Sequence, residues 1–92
     1  MITLYVLKGE TGKRYVGITN DLPRRLKEHG SHHSKIGQVL GEFTVIHTES
    51  FFDHKSARLR EKFLKSGQGR KLLDKLEADS EPATKPAGKA TL

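Results

Sequence analysis

The chain has 92 residues, no cysteine, no tryptophan and a formal net charge of +6. That length is one domain's worth, with a thin core, since a domain this small buries only about 60% of its unfolded surface. Disulfides and thiolate zinc sites are excluded, no stretch approaches the roughly 20 apolar residues of a membrane span, and Met1-Ile2-Thr3-Leu4-Tyr5 lacks the regions of a signal peptide, so no membrane association and a cytoplasmic protein are expected.

The charge is uneven. Residues 1–77 carry 15 Lys and Arg against 9 Asp and Glu, whereas residues 78–92 carry two of each. The whole excess lies in the first 77 residues, which suits a polyanionic partner.

Residues 2–8 alternate, with Ile2, Leu4 and Val6 on one side and Thr3, Tyr5 and Leu7 on the other. This is the period of a strand. Gly9-Glu10-Thr11-Gly12 has turn chemistry, and residues 13–18 read as a second strand, so a hairpin is expected. In the second strand Val16 and Ile18 share one face and Lys13, Tyr15 and Gly17 the other. Both tyrosines are therefore expected on one sheet face, away from the main core.

Asn20 or Asp21 can cap a helix that tolerates Pro23 in its first turn. Leu22 and Leu26 dock that helix at i, i+4 spacing, while Arg25 and His29 share a neighbouring stripe. Gly30 ends it. Residues 30–41 have no clear period and read as a polar, glycine-bounded loop. A third strand is expected over 42–50. Asp53 or Ser56 begins a second helix with an apolar stripe of Ala57, Leu59 or Arg60, Phe63 and Leu64. Gly67-Gln68-Gly69 breaks it, and residues 70–76 continue as a short helix. From Ala78 onward the chain is rich in Ser, Pro, Ala, Gly, Lys and Thr and is expected to be a disordered tail. The fold class is α+β: a small three-stranded antiparallel sheet flanked by helices, order β-β-α-β-α-α. Residues 1–77 form the domain and 78–92 the tail.

Tyr5 and Tyr15 stand ten residues apart, and Arg25 follows ten residues later. Two phenols, a guanidinium and the imidazole of His29, brought together, suit attack on a phosphate. With these spacings the chain resembles the GIY-YIG endonuclease superfamily, in particular its small single-domain, excinuclease-like bacterial members. Thr3-Leu4-Tyr5 fills the first motif, Tyr15-Val16-Gly17 the second, and Arg25 the place of the catalytic arginine. His29 matches a histidine of some restriction-enzyme members. Ala57-Arg58-Leu59-Arg60-Glu61 matches the helix that carries the metal-binding glutamate, here Glu61. The resemblance spans roughly residues 2–76. Thr3 replaces the glycine of the first motif, and Leu73 stands where many members carry an asparagine.

The resemblance implies a metal-dependent endonuclease that hydrolyses phosphodiester bonds in DNA, in a setting of repair or recombination. Its catalytic set would be Tyr5, Tyr15, Arg25, His29 and Glu61. Glu61 would hold Mg²⁺ (or Mn²⁺), since one carboxylate with waters and a substrate phosphate suits a strongly hydrated ion. Arg25 would fork two donors onto the phosphate. Tyr5 would be the general base, its pKa lowered by Arg25, His29 and the metal, with His29 as a possible proton relay. Tyr15 would orient water or donate to a phosphate oxygen.

Lys13, Arg24, His32, His33, Lys35, Arg58, Lys62, Lys65 and Arg70 are candidate nucleic-acid contacts, of residue types that hold the backbone without reading sequence. Larger relatives add separate recognition domains, so weak sequence specificity is expected. The alternative is a non-catalytic DNA- or RNA-binding module on the same fold. A third reading, a basic surface for a protein partner, implies little salt-dependent affinity for nucleic acid, whereas a phosphate-tracking surface loses affinity steeply as salt rises.

Overall fold

A computed structural model describes residues 1–30 and 35–80; the described residues divide into two compact units, one up to Glu61 and one from Lys62. The first holds strands β1 (Ile2–Gly9), β2 (Arg14–Thr19) and β3 (Phe43–Phe51) and helices α1 (Leu22–His29) and α2 (Lys35–Leu40). Helix α3 (His54–Leu64) runs from the first unit into the second, which contains α4 (Gly67–Ser80). The expected loop over 30–41 thus contains a helix. Six residues are too few for a helical period to be read, but Leu40 at its end is buried.

The sheet is antiparallel with order β2-β1-β3. The central β1 is covered on both sides, and Leu4, Tyr5, Val6 and Leu7 are all inaccessible to solvent. Tyr5 lies opposite Gly17, and Leu7 opposite Tyr15. The tyrosines do share a face, as the alternation requires, but this face is part of the core. Tyr5, Leu7 and Leu40 form a cluster there with Tyr15, Leu22, Leu26, Ile36 and Phe43 packed around it. Helices α1 and α2 therefore cover the tyrosine face. A central strand between two partners buries both of its sides, which a hairpin considered alone does not reveal.

At the hairpin, Gly12 has φ +90 and its N–H donates to the Gly9 carbonyl at 3.0 Å. A Cβ on Gly9 would run into the Leu40 backbone, so glycine lets α2 approach the end of β1. A register shift between Val6 and Leu7 leaves Ile46 as an extra residue in β3, since Val6 pairs with His47 and Leu7 with Val45. This bulge reverses the phase of β3. Phe43 and Val45 lie on the tyrosine face, whereas His47, Glu49 and Phe51 fall on the face of Ile2, Leu4 and Val6. Uninterrupted alternation would have kept Phe43, Val45 and His47 together.

The caps settle the sequence alternatives. Asp21 caps α1 by accepting from the Arg24 N–H at 3.2 Å, and Asp53 caps α3 by accepting from the Ser56 N–H at 2.8 Å. In the second unit the break precedes the glycines: Ser66 Oγ accepts from the Gly69 N–H at 3.2 Å, and Gly67 and Gly69 lie in the first turn of α4. A Cβ on Gly69 would strike the backbone of Phe63 and Leu64, so close packing explains this glycine. Leu64 and Leu73 are buried. Helix α4 continues to Ser80, three residues past the expected end of the domain; residues 81–92 of the expected tail lie outside the described residues.

Candidate active site

Four of the five expected catalytic side chains converge. β1 brings Tyr5, β2 brings Tyr15, and α1 brings Arg25 and His29. The ring centroids of Tyr5 and Tyr15 are 6.1 Å apart, those of Tyr5 and His29 5.8 Å, and those of Tyr15 and His29 5.2 Å. The Tyr5 hydroxyl lies 2.7 Å from His29 Nε2, and both residues are buried, with exposures of 0% and 3%. Arg25 approaches the Tyr5 phenol from the same helix, and Tyr15 stands beside it on the neighbouring strand. The Arg25 side chain, 42% exposed, also donates from Nη1 to Glu28 Oε1 at 3.0 Å. Two buried groups thus sit behind two partly exposed ones, Tyr15 and Arg25.

Burial decides the charge states. It pushes the Tyr5 phenol up to about 12, outweighing the neighbouring Arg25, whose positive charge pulls the other way. The expected lowering of Tyr5 is therefore not produced by these protein groups. His29 is held below its ordinary value, first by burial and then by the Arg25 charge, so at neutral pH the imidazole is uncharged and cannot draw the phenol down. Arg25 can only donate, so the Tyr5 oxygen accepts from it. With the imidazole proton on Nδ1, the Tyr5 hydroxyl is free to donate to His29 Nε2.

The same shift has a consequence for stability. His29 binds a proton more readily in the unfolded chain than in the folded one, so its contribution is present above about pH 6.5 and is lost as pH falls through the folded value. Melting temperature is expected to drop on acidification through this window, and more shallowly in His29→Gln, which can still accept from Tyr5. Equal slopes in both proteins would refute this assignment. The Glu49 carboxylate, hydrogen-bonded by Arg60 against the opposing effect of burial, titrates below 4.5 and so acts in a separate window.

The expected site does not include Gly17, although this residue lies in the second motif. A Cβ there would sit 2.6 Å from the Tyr5 hydroxyl oxygen and 2.9 Å from Tyr15 Cε2. The bare backbone of β2 is what admits the Tyr5 phenol. Gly17→Ala is expected to displace the ring, destabilise the fold by about 1–3 kcal/mol as overpacking does, and abolish the Tyr5–His29 hydrogen bond. Chemical denaturation and the imidazole NMR resonances report the two effects; unchanged resonances would show that the ring is not displaced.

Glu61 comes from α3, not from the elements that carry the other four. Its side chain is only 14% exposed, with Arg58 Nε 3.4 Å from Oε1. One sheltered carboxylate fits an ion that keeps most of its water and binds substrate phosphate, as Mg²⁺ does, rather than one held by a cage of protein ligands. Among the described residues no three His, Cys, Asp or Glu side chains are grouped to hold a metal.

Among the expected nucleic-acid contacts, Lys13, Arg24, Lys35 and Arg58 are exposed residues of the first unit. Arg24 is paired with Asp21, Nε to Oδ2 3.8 Å, and donates to Asn20 Oδ1 at 3.4 Å. Lys62, Lys65 and Arg70 are exposed in the second unit. His32 and His33 lie outside the described residues.

Sequence reasoning also missed a pair on the other face of the sheet. Leu59 of the expected apolar stripe is 63% exposed, while Arg60 turns inward and donates from Nε and Nη2 to Glu49 Oε1 and Oε2 at 2.9 and 3.1 Å. The available signal was a carboxylate on a strand with few charges, which needs a partner once its face is covered.

No described helix is long and apolar enough to cross a membrane. No curated protein gives a significant match. A solved structure that is similar is the solution NMR structure of the UPF0213 protein BH0048 from Bacillus halodurans. It is 27% identical, covers 97% of this chain and 100% of its own, and superimposes with a TM-score of 0.59. The sequence matches the profile described as the GIY-YIG catalytic domain over residues 1–74. The motif spacing, the convergence of Tyr5, Tyr15, Arg25 and His29, and this match across most of the chain lead to one conclusion: the protein belongs to the GIY-YIG family, a family of nuclease type.

Proposed function

We propose that the protein is a divalent-metal-dependent endonuclease that hydrolyses phosphodiester bonds in DNA with weak sequence specificity. The observation that carries this reading is the 2.7 Å contact between the buried Tyr5 hydroxyl and His29 Nε2, with Arg25 beside it. A phenol at about 12 is a poor base at pH 7, but it conducts protons well. Tyr15 is the solvent-side end of the chain. The attacking water gives a proton to Tyr15 as Tyr15 passes its own to Tyr5 and Tyr5 gives its own to His29 Nε2. The resulting hydroxide forms the new bond to phosphorus, the bond to the leaving oxygen breaks, and that oxygen takes a proton from solvent. Arg25 neutralises charge on the phosphate and keeps the Tyr5 hydrogen directed at the imidazole. Glu61 would hold the cation, which supplies Lewis-acid stabilisation of the developing charge. Lys13, Arg24, Lys35, Arg58, Lys62, Lys65 and Arg70 would contact the DNA backbone.

A second reading keeps the fold and the polyanion-binding surface without cleavage. The buried Leu73, where many family members carry asparagine, favours it. The two separate in one experiment: labelled single-stranded, duplex and branched DNA is incubated with the protein and Mg²⁺ or Mn²⁺, with and without chelator. Cleavage that stops on chelation is expected. Binding that weakens steeply with salt, without cleavage of any substrate, would favour the second reading.

A further inference from the structure

We infer that the Glu49–Arg60 ion pair is a positioning device for the metal-side carboxylate, setting the rotation of α3 and with it the direction of Glu61; this rests on the reading of Glu61 as the metal ligand. Within the first unit α3 has a weak purchase on the sheet. Ala57 is its fully buried residue there, and Leu59 is mostly exposed. The helix's other fully buried residue, Leu64, belongs to the second unit, and within the first a single methyl group gives little resistance to turning about the helix axis. Glu61 follows Ala57 by four residues and so lies on the same, inward side, in keeping with its low exposure. One residue of rotation is about 100°, so modest turning would carry that carboxylate away.

The rotational constraint comes from the next side chain. Arg60 grips both oxygens of Glu49, two donors in a plane, a geometry that fixes direction as well as distance. Glu49 is itself held: His47 Nε2 lies 2.8 Å from Oε2, and an ionised carboxylate makes the imidazole the donor. Glu49 sits opposite Leu4, the neighbour of Tyr5 on β1. Glu49, Arg60 and Glu61 are thereby tied, through the β1–β3 pairing, to the central strand that also carries Tyr5. The bulge at Ile46 makes this possible, since without the phase reversal Glu49 would lie on the opposite face from the α3 clamp.

The test is a Mn²⁺ titration of the protein without DNA, followed by paramagnetic broadening of backbone amide NMR signals around Glu61, a readout that detects weak binding and does not depend on cleavage. Arg60→Lys keeps the charge and loses the fork; Glu49→Asp keeps the charge and shortens the reach; Glu61→Gln removes the ligand. Broadening near residue 61 is expected to vanish in Glu61→Gln and to need at least about tenfold more Mn²⁺ in Arg60→Lys and Glu49→Asp, the scale on which partners of metal ligands act. Amide spectra confirm that each variant is folded, and the metal concentration for half-maximal cleavage should rise with less change in the rate at saturation. Wild-type Mn²⁺ dependence in both Arg60→Lys and Glu49→Asp, with Glu61→Gln silent, would overturn the positioning role and leave the metal reading intact. Unchanged broadening in Glu61→Gln would overturn the metal reading itself, and the inference with it.

Discussion

Tyr5→Phe is expected to lower single-turnover DNA cleavage by about 10²- to 10⁴-fold, the range associated with a positioned proton-transfer group. The ring stays in the cluster with Leu7 and Leu40, so the core keeps its volume. The loss is one hydroxyl, and with it the connection between Tyr15 and His29. His29 Nε2 would be left buried without its donor, costing about 1–3 kcal/mol of stability, which thermal melting would register as a modest shift. The pH dependence separates relay from phenolate. If Tyr5 passes a proton to neutral His29, the wild-type rate is full at pH 7 and falls only as pH drops through the imidazole's lowered folded value, where the ring charges. If the phenolate were the base, the rate would climb about tenfold per pH unit well above pH 7, because the phenol lies near 12. A Tyr5→Phe variant with full cleavage would eliminate both mechanisms.

Glu61→Ala is expected to reduce metal-dependent cleavage to background at any Mg²⁺ concentration while DNA binding is retained or strengthened. The variant removes a negative charge from a chain of net charge +6, so its affinity for a polyanion should not fall, and its dependence on salt should stay that of wild type. The ion pair with Arg58, whose side chain is 69% exposed and one helical turn away, contributes only a few tenths of a kcal/mol. Parallel measurements of cleavage and equilibrium binding check the prediction. Wild-type Mg²⁺-dependent cleavage in Glu61→Ala would remove this residue from the catalytic set; loss of binding together with cleavage would point to a phosphate-binding surface disturbed by misfolding rather than to a missing ligand.

Local pattern was enough for much of the fold and for placing Tyr5, Tyr15, Arg25 and His29 on the elements that bring them together. The period-two runs mark the hairpin, Asp21 and Asp53 mark the starts of α1 and α3, and Leu22 and Leu26 mark the docking side of α1. The equal spacing of Tyr5, Tyr15 and Arg25 identifies a family whose motifs lie on successive elements, and the i, i+4 relation carries His29 along with Arg25. Alternation by itself also dictates that the two tyrosines share a sheet face.

Properties that depend on neighbours distant in sequence required the tertiary structure. Helix α2 is one such case, because six residues ending in Leu40 acquire their meaning only by covering β1. The charge state of the site is another. Arg25 beside a phenol argues for a lowered pKa, yet β1 lies between two strands and under two helices, and desolvation of Tyr5 exceeds the pull of a partly exposed guanidinium. The space for the phenol depends on Gly17 of the adjacent strand. Ile46, unremarkable in a one-dimensional reading, is the extra residue that turns Glu49 toward Arg60. Sequence alone thus determined which chemical groups this protein carries and on which local elements. Burial and cross-strand register, set by packing between segments tens of residues apart, decided which of those groups are neutral, which are shielded and which are held in place.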